Sequence, residues 1–308
     1  MIGPFFLRKP IGFSLVGLWI FLTPVSSFSQ SPTQSCSKVF DSRRLHLLAD
    51  NRFNVSRDLY DYLMRFGPHF QLRIKDLQAG QIWIDVGAGQ AFAQKDYIRL
   101  RQNPATAKTN WNADLGRWDF AGQILHQRFF FTQAWPQLIA VSYVKPKNFQ
   151  IEPGLPLDYR ELNWSVDHHQ FDHLTHQVDI LTDYYGNLSY TEKFSEDLTS
   201  YLRLLKPQGK IYVSLDKSIT EVVLRDGRRV DILTWLKGVP GLAIHPVWTI
   251  ESLTQKLGDD AIGFWDGDSF EISLQPGFDP SQIPQLHLQT ISVYDSGPPR
   301  RIFTETPP

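Results

Sequence analysis

Gln81-Ile82-Trp83-Ile84-Asp85-Val86-Gly87-Ala88-Gly89-Gln90-Ala91 is an apolar run, then an acid, then two glycines one residue apart. Ile82 to Val86 is short and rich in β-branched residues, the pattern of a strand buried on both faces of a parallel sheet. The following Ala91 to Leu100 has helical character, so the glycines fall at a strand-to-helix turn. Glycine there permits positive φ and lets a ligand approach the backbone without meeting a Cβ. An acid two residues before the first glycine can accept hydrogen bonds or pair with a cationic ligand. A structural bend needs glycines too, so the pair by itself does not choose between a ligand site and a turn.

The pattern continues outward. Upstream, Ser56 to Phe66 reads as an amphipathic helix with Leu59, Tyr60, Leu63 and Met64 on one face, Ser56 as N-cap and Gly67-Pro68 as stop. A second short helix is expected over Phe70 to Leu77. Downstream, Gln137 to Tyr143 reads as a second strand and Val178-Asp179-Ile180-Leu181-Thr182-Asp183-Tyr184-Tyr185-Gly186 as a later buried strand with a polar and aromatic end. Thr191 to Leu205 has helical spacing in Phe194, Leu198, Tyr201, Leu202 and Leu205. Lys206 to Lys210 then makes a turn, and Ile211 to Leu215 is the next strand. Strand, helix and strand in this order imply a crossover and a parallel sheet.

These residues carry a family resemblance. Asp85-Val86-Gly87-Ala88-Gly89 resembles motif I of the class I S-adenosylmethionine (SAM) methyltransferases, and Leu204-Leu205-Lys206-Pro207-Gln208-Gly209-Lys210-Ile211 resembles their "LLKPGG" turn, with Gln208 for the first glycine. The likeness spans roughly Ser56 to Leu215. It implies an α/β fold: a Rossmann-like, doubly wound, seven-stranded and mostly parallel sheet with an antiparallel last strand and helices on both faces. It implies SAM as cofactor and methyl transfer to a small-molecule or protein acceptor. The cofactor-lining positions it implies are Asp85, Gly87, Ala88, Gly89, Gln90, Ser142, Tyr143, Glu161, Asp183 and Tyr184, with Asp183 and Tyr185 as candidate catalytic groups on the acceptor side.

Two departures qualify that reading. The second strand ends in Ser142 where the family carries an acid for the ribose hydroxyls, which leaves room for a non-catalytic module that kept the fold. Arg101 to Trp135 reads as an insertion, either a lid or acceptor loop or inert decoration. A dinucleotide-binding oxidoreductase is the competing account of a glycine turn after a strand. It asks for a small residue at the last position of G-x-G-x-x-G, and here that residue is Phe92. Asp183 and Tyr185 have a plain alternative as caps of the next helix.

Other candidates are weaker. His169, His173 and His176 would share a helical face at a spacing that can ligate zinc, but Asp167, Gln170 and Asp172 make a solvated helix as natural, and no metal is expected. Arg225, Arg228 and Arg229 surround Asp226-Gly227, a hairpin turn. Ile232 to Leu236 looks helical, Ser269 to Leu274 and Gln285 to Val293 alternate as the final antiparallel pair of the sheet, and Pro298 to Arg301 ends the last strand.

Composition and termini bound the rest. Lys and Arg number 31 against 32 Asp and Glu, so no basic excess draws the 308-residue chain to nucleic acid. Arg8 and Lys9 precede an apolar run from Ile11 to Leu22 and then Ser26, Ser27 and Ser29, the order of a secretory signal. Residues 1–29 are therefore expected to export the chain and be cleaved, or to anchor it to a membrane, with 30–44 as linker and 45–305 as one domain. Export conflicts with a cofactor made in the cytosol. Cys36 is the single cysteine, so no intramolecular disulfide forms.

Overall fold

The computed structural model describes residues 57–102, 134–143, 151, 153–215, 217–247, 268–292 and 299–306. The export segment, the linker, Cys36 and nearly all of the 101–135 insertion lie outside them. Among the described residues no helix is long and apolar enough to cross a membrane.

The main sheet has seven strands: β1 (Ile82–Val86), β2 (Gln137–Ser142), β3 (Leu157–Glu161), β4 (Val178–Tyr184), β5 (Leu205–Leu215), β8 (Leu242–Pro246) and β9 (Asp268–Leu274). Their spatial order is β3-β2-β1-β4-β5-β9-β8. The five strands from β3 to β5 pair in parallel, while β9 runs antiparallel to both β5 and β8. This is the doubly wound, mostly parallel sheet with a reversed last strand that the sequence leads one to expect.

Strand alternation assigns each side chain to a face. Trp83, Leu138, Ala140, Ile180 and Tyr212 pack beneath α1 (Leu59–Lys75) and α2 (Phe92–Gln102). Ile84, Val86, Ile139, Leu181 and Val213 pack beneath α3 (Phe194–Leu204) on the other face. By the same alternation Asp85 and Thr182 lie under α1, and Asp183 lies under α3.

Several sequence expectations are corrected. The amphipathic stretch starts at Leu59, where Asp58 caps in a capping box with Asp61, and not at Ser56. The predicted stop at Gly67-Pro68 is a kink inside α1, with Gly67 at φ 68°, and the second helix continues to Lys75. Lys206 to Lys210 is not a free turn: it belongs to β5, which carries a register irregularity opposite Val178 and Ile180. A Cβ on Gly209 would lie 2.6 Å from the Val178 carbonyl, so glycine is what lets the irregular strand close.

The largest correction lies beyond Leu215. Ser269–Leu274 joins the main sheet, but its partner is β8 and not Gln285–Val293. Gln285–Ser292 instead forms β10 of a second, four-stranded sheet with β11 (Arg300–Thr306), β6 (Thr220–Val223) and β7 (Arg229–Asp231), in the order β10-β11-β6-β7. Arg300 and Arg301 begin the last strand; they do not end it. The expected turn at Asp226-Gly227 links β6 to β7, with Gly227 at φ 83°. The second sheet packs on the outside of α3: Phe194 lies 6.3 Å from Trp235 of α4 (Ile232–Gly238) and 6.2 Å from Phe303, ring to ring. Alternation reveals which face of a strand is apolar and is silent about which sheet the strand joins.

Candidate functional site

The strand order reverses between β1 and β4, so the crevice beyond their carboxyl ends is the place where sheets of this kind bind ligands. The glycine turn lies there. Gly87, Gly89 and Ala91 have φ of 84°, 53° and 54°, so the backbone enters the left-handed region at alternate residues. The N–H groups of Gly87 and Ala88 both donate to the Val141 carbonyl, at 2.9 and 3.0 Å. Gly87 cannot carry a side chain: a Cβ would lie 2.5 Å from the Gly186 Cα. Gly186 is equally constrained, its Cβ falling 2.3 Å from the Val86 carbonyl, so the turns after β1 and β4 meet backbone to backbone.

Asp85 is fully buried and fully engaged. The Tyr62 hydroxyl of α1 approaches its carboxylate oxygens at 3.0 and 2.9 Å, and Thr182 Oγ1 donates to Oδ1 at 2.7 Å while accepting the Trp83 indole N–H at 3.0 Å. Burial pushes the Asp85 pKa up to about 7, against the opposing pull of the Thr182 and Tyr62 hydrogen bonds. Asp85 therefore lies under the glycine turn as a group shared with α1 and does not face the open edge.

Asp183 takes the capping role. Its Oδ1 accepts the Gly186 N–H at 2.8 Å, and its Oδ2 accepts the Leu188 N–H at 2.9 Å and the Tyr201 hydroxyl at 2.7 Å. With no exposed surface, it holds the single helical turn Asn187–Tyr190 and does not reach an acceptor. Burial raises its pKa to about 6. Tyr184 and Tyr185 are half-buried at the end of β4, and Tyr185 has φ 49°, a strained value for a residue with a side chain.

Ser142 and Glu161 are register partners at the carboxyl ends of β2 and β3, Ser142 buried and Glu161 exposed. Tyr143 and Gln90 are half-buried at the turns after β2 and β1. The Tyr159 hydroxyl donates to the Gly89 carbonyl at 2.9 Å, so β3 braces the glycine turn. Sequence reasoning does not reach Tyr62, Tyr159 or Thr182 as site residues. Each sits in an ordinary helix or strand pattern, and only the fold turns its polar end toward the turn.

The histidines do not form the expected helical face. His168–Leu174 is a 3-10 helix, His176 lies beyond it at φ 60°, and among the described residues no three His, Cys, Asp or Glu side chains are placed to hold a metal. A separate cleft of about 490 Å³, lined by Ile82, Trp135, Leu138 and Asp158, opens at the amino edge, away from the switch point.

Buried acids make stability pH-dependent. Asp96, whose Oδ2 accepts the Leu59 N–H at 3.3 Å, is raised to about 7 by burial, alongside Asp85 at about 7 and Asp183 at about 6. A carboxyl whose pKa rises on folding favours the folded chain while protonated. That contribution is complete below about pH 4 and is lost as pH climbs through the folded values. From these groups, unfolding free energy should fall between pH 5 and pH 8, by up to ~1.4 kcal/mol per pH unit per group. Urea melts at the two pH values read this directly, and Asp96→Asn should flatten the slope; an unchanged slope would refute the assignment.

No family model and no curated protein matches the chain. Among solved structures it is similar to the methyltransferase CalH in complex with S-adenosylhomocysteine, at 13% identity and TM-score 0.37, over 68% of this chain and 55% of that one. It thus spans little more than half the length of that relative. A 1,6-didemethyltoxoflavin-N1-methyltransferase of Burkholderia thailandensis is 12% identical at TM-score 0.35, over 76% of this chain and 90% of that one. A SAM-dependent methyltransferase of Mesorhizobium loti is 11% identical at TM-score 0.33, over 63% and 91%. These likenesses are faint, and the functional reading rests on the chain's own residues.

Proposed function

We propose that the chain binds S-adenosylmethionine at the switch-point crevice and transfers its methyl group to a small-molecule or protein acceptor. One observation carries the reading: the glycine turn of motif I falls where the strand order reverses, in a seven-stranded sheet whose last strand runs antiparallel. The residues fit the group. Gly87 and Ala88 fix the bend through the Val141 carbonyl and the Gly186 contact, Gly89 and Gln90 follow it half-buried, and Ser142, Tyr143 and Glu161 bring polar groups to the adjoining strand ends for a ribose. Tyr184 is assigned to the cofactor and Tyr185 to the acceptor side, with Asp183 positioning the turn behind them.

The bound cofactor supplies an electrophilic methyl on a sulfonium. The chain's task is to orient the acceptor in line with it, which demands placement more than acid–base chemistry. Asp85 contributes a buried negative charge beneath a cationic ligand. Since its pKa is about 7, SAM affinity should rise roughly fivefold from pH 6 to pH 8 as the carboxylate ionises, and Asp85→Asn should remove that rise. Calorimetry of the full chain with SAM checks both.

A second reading, a non-catalytic module, is favoured by the closure of Tyr62 and Thr182 over Asp85 and by the Gly186–Gly87 contact. No heat of binding at millimolar SAM would defeat the enzyme and leave the module.

A further inference from the structure

The geometry points to an anion-binding subsite at the carboxyl end of β4, built on Arg57, Tyr184 and Tyr185, that takes a carboxylate or phosphate carried by the methyl acceptor. This deepens the proposed methyl transfer and rests on it. The Arg57 guanidinium lies 4.4 Å from the Tyr184 ring centroid and 5.4 Å from that of Tyr185. Its Nη1 donates to the Tyr184 carbonyl at 2.8 Å, which uses one of five N–H donors. Among the described residues no carboxylate forms an ion pair with it.

The nearby acids are committed elsewhere. Asp58 and Asp61 exchange capping-box hydrogen bonds, Asp61 N–H to Asp58 Oδ1 at 2.8 Å and Asp58 N–H to Asp61 Oδ2 at 3.2 Å. Asp85 is hydrogen-bonded by Tyr62 and Thr182, and the Arg57 charge acts on it only at longer range, with no ion pair between them. Arg57 thus keeps most of a planar donor fork that matches carboxylate and phosphate oxygens two at a time, held over a ring and tied to a carbonyl so that less rotamer freedom remains to be lost.

A second cation shapes the place. Arg65, almost fully buried, donates from Nε to Ser214 Oγ at 2.8 Å and from Nη2 to the Tyr185 hydroxyl, with its guanidinium 5.3 Å from the Tyr185 ring. Tyr185 is held in its left-handed conformation by its N–H bond to the Ser214 carbonyl at 2.9 Å. Strain of this kind persists where the surroundings fix it, commonly at ligand clamps. Gly186, the next residue, touches Gly87, so an anion on Arg57 would sit beside the crevice where the methyl is delivered.

The test uses the full chain with inorganic phosphate as probe, followed by phosphorus NMR line broadening, and acetate as a competing carboxylate. Wild type should bind phosphate saturably. Arg57→Gln should weaken it about tenfold and Arg57→Lys by about threefold or less, with melting temperatures matched. Displacement by acetate would extend the subsite to carboxylates, and resistance would restrict it to phosphates; either supports an anionic acceptor. Equal phosphate binding by Arg57→Gln and wild type overturns the subsite while leaving SAM binding to stand or fall by its own titration. A loss of SAM affinity in Arg57→Gln at least as large as the loss of phosphate affinity would assign the guanidinium to the cofactor and overturn it as well. Arg57-dependent phosphate binding in a chain that takes no SAM would defeat the proposed function and, with it, the acceptor role of the site.

Discussion

Arg301→Ala is expected to destabilise the folded chain by about 3–5 kcal/mol, because it removes a wholly buried cation and its hydrogen bonds. Arg301 begins β11 of the second sheet yet reaches back to the helical turn that follows β4. Nη1 donates to the Thr191 carbonyl at 2.7 Å, and Nη2 donates to the Leu188 carbonyl at 2.9 Å and to Thr220 Oγ1 at 3.0 Å. The helical turn Asn187–Tyr190 therefore has the Asp183 carboxylate at its N–H end and the Arg301 guanidinium at its carbonyl end, an arrangement the peptide dipoles favour. Burial lowers the Arg301 pKa to about 10, the attraction of Asp183 working against it, and the group stays charged at neutral pH.

Replacing a buried charged group with a hydrophobe of similar shape can be nearly neutral, which makes the choice of variant informative. Arg301→Met keeps the stem but leaves the Leu188 and Thr191 carbonyls without these donors, so about 2–3 kcal/mol should still be lost. Equilibrium urea melts decide it, and a methionine variant as stable as the parent would show that the guanidinium contributes nothing net. In the damaged variants the Gly186 turn should loosen, giving faster amide exchange over residues 186–191 than in β1.

Gly87→Ala should cost slightly less, about 2–4 kcal/mol, from the sum of two effects. The φ of 84° is disfavoured for any residue with a Cβ, and that Cβ would lie 2.5 Å from the Gly186 Cα, so two backbones must separate. The same displacement would misplace the turn meant to cradle the ligand, so SAM affinity should fall at least tenfold, even at low temperature where the variant remains folded. Gly80→Ala is the control: it shares a positive φ of 79° but has open space around its Cβ, so only the conformational penalty of ~1 kcal/mol should appear. If the two alanine variants cost the same, the Gly87–Gly186 contact is not a constraint.

How much of this was legible in the chain follows from the range of each interaction. The glycine turn, β1, β2 and β4 were readable because buried parallel strands are apolar throughout and the turn needs residues without a Cβ. The capping role of Asp183 was readable as an alternative, since an acid before a turn bonds to N–H groups a few residues on. The second sheet was not readable. Gln285–Ser292 and Ser269–Leu274 alternate alike, and what separates them is pairing: Ser269–Leu274 joins the distant β5, while Gln285–Ser292 joins β11, itself paired with the distant β6. The place of Arg301 is hidden for the same reason: Pro298 to Arg301 reads as the end of a strand, and only pairing with β6 and β10 makes it the start of one.

The amino-acid sequence by itself determined the parallel core and the position of its glycine bend, because both follow from local backbone geometry and side-chain period. Only the tertiary structure decided what surrounds that bend: Tyr62 on Asp85, Gly186 against Gly87, Arg57 over Tyr184, and Arg301 fastening the second sheet to the helical turn after β4. Those contacts join residues far apart in the chain through hydrogen bonds and close approaches of a few ångströms, and no short window of sequence contains both partners.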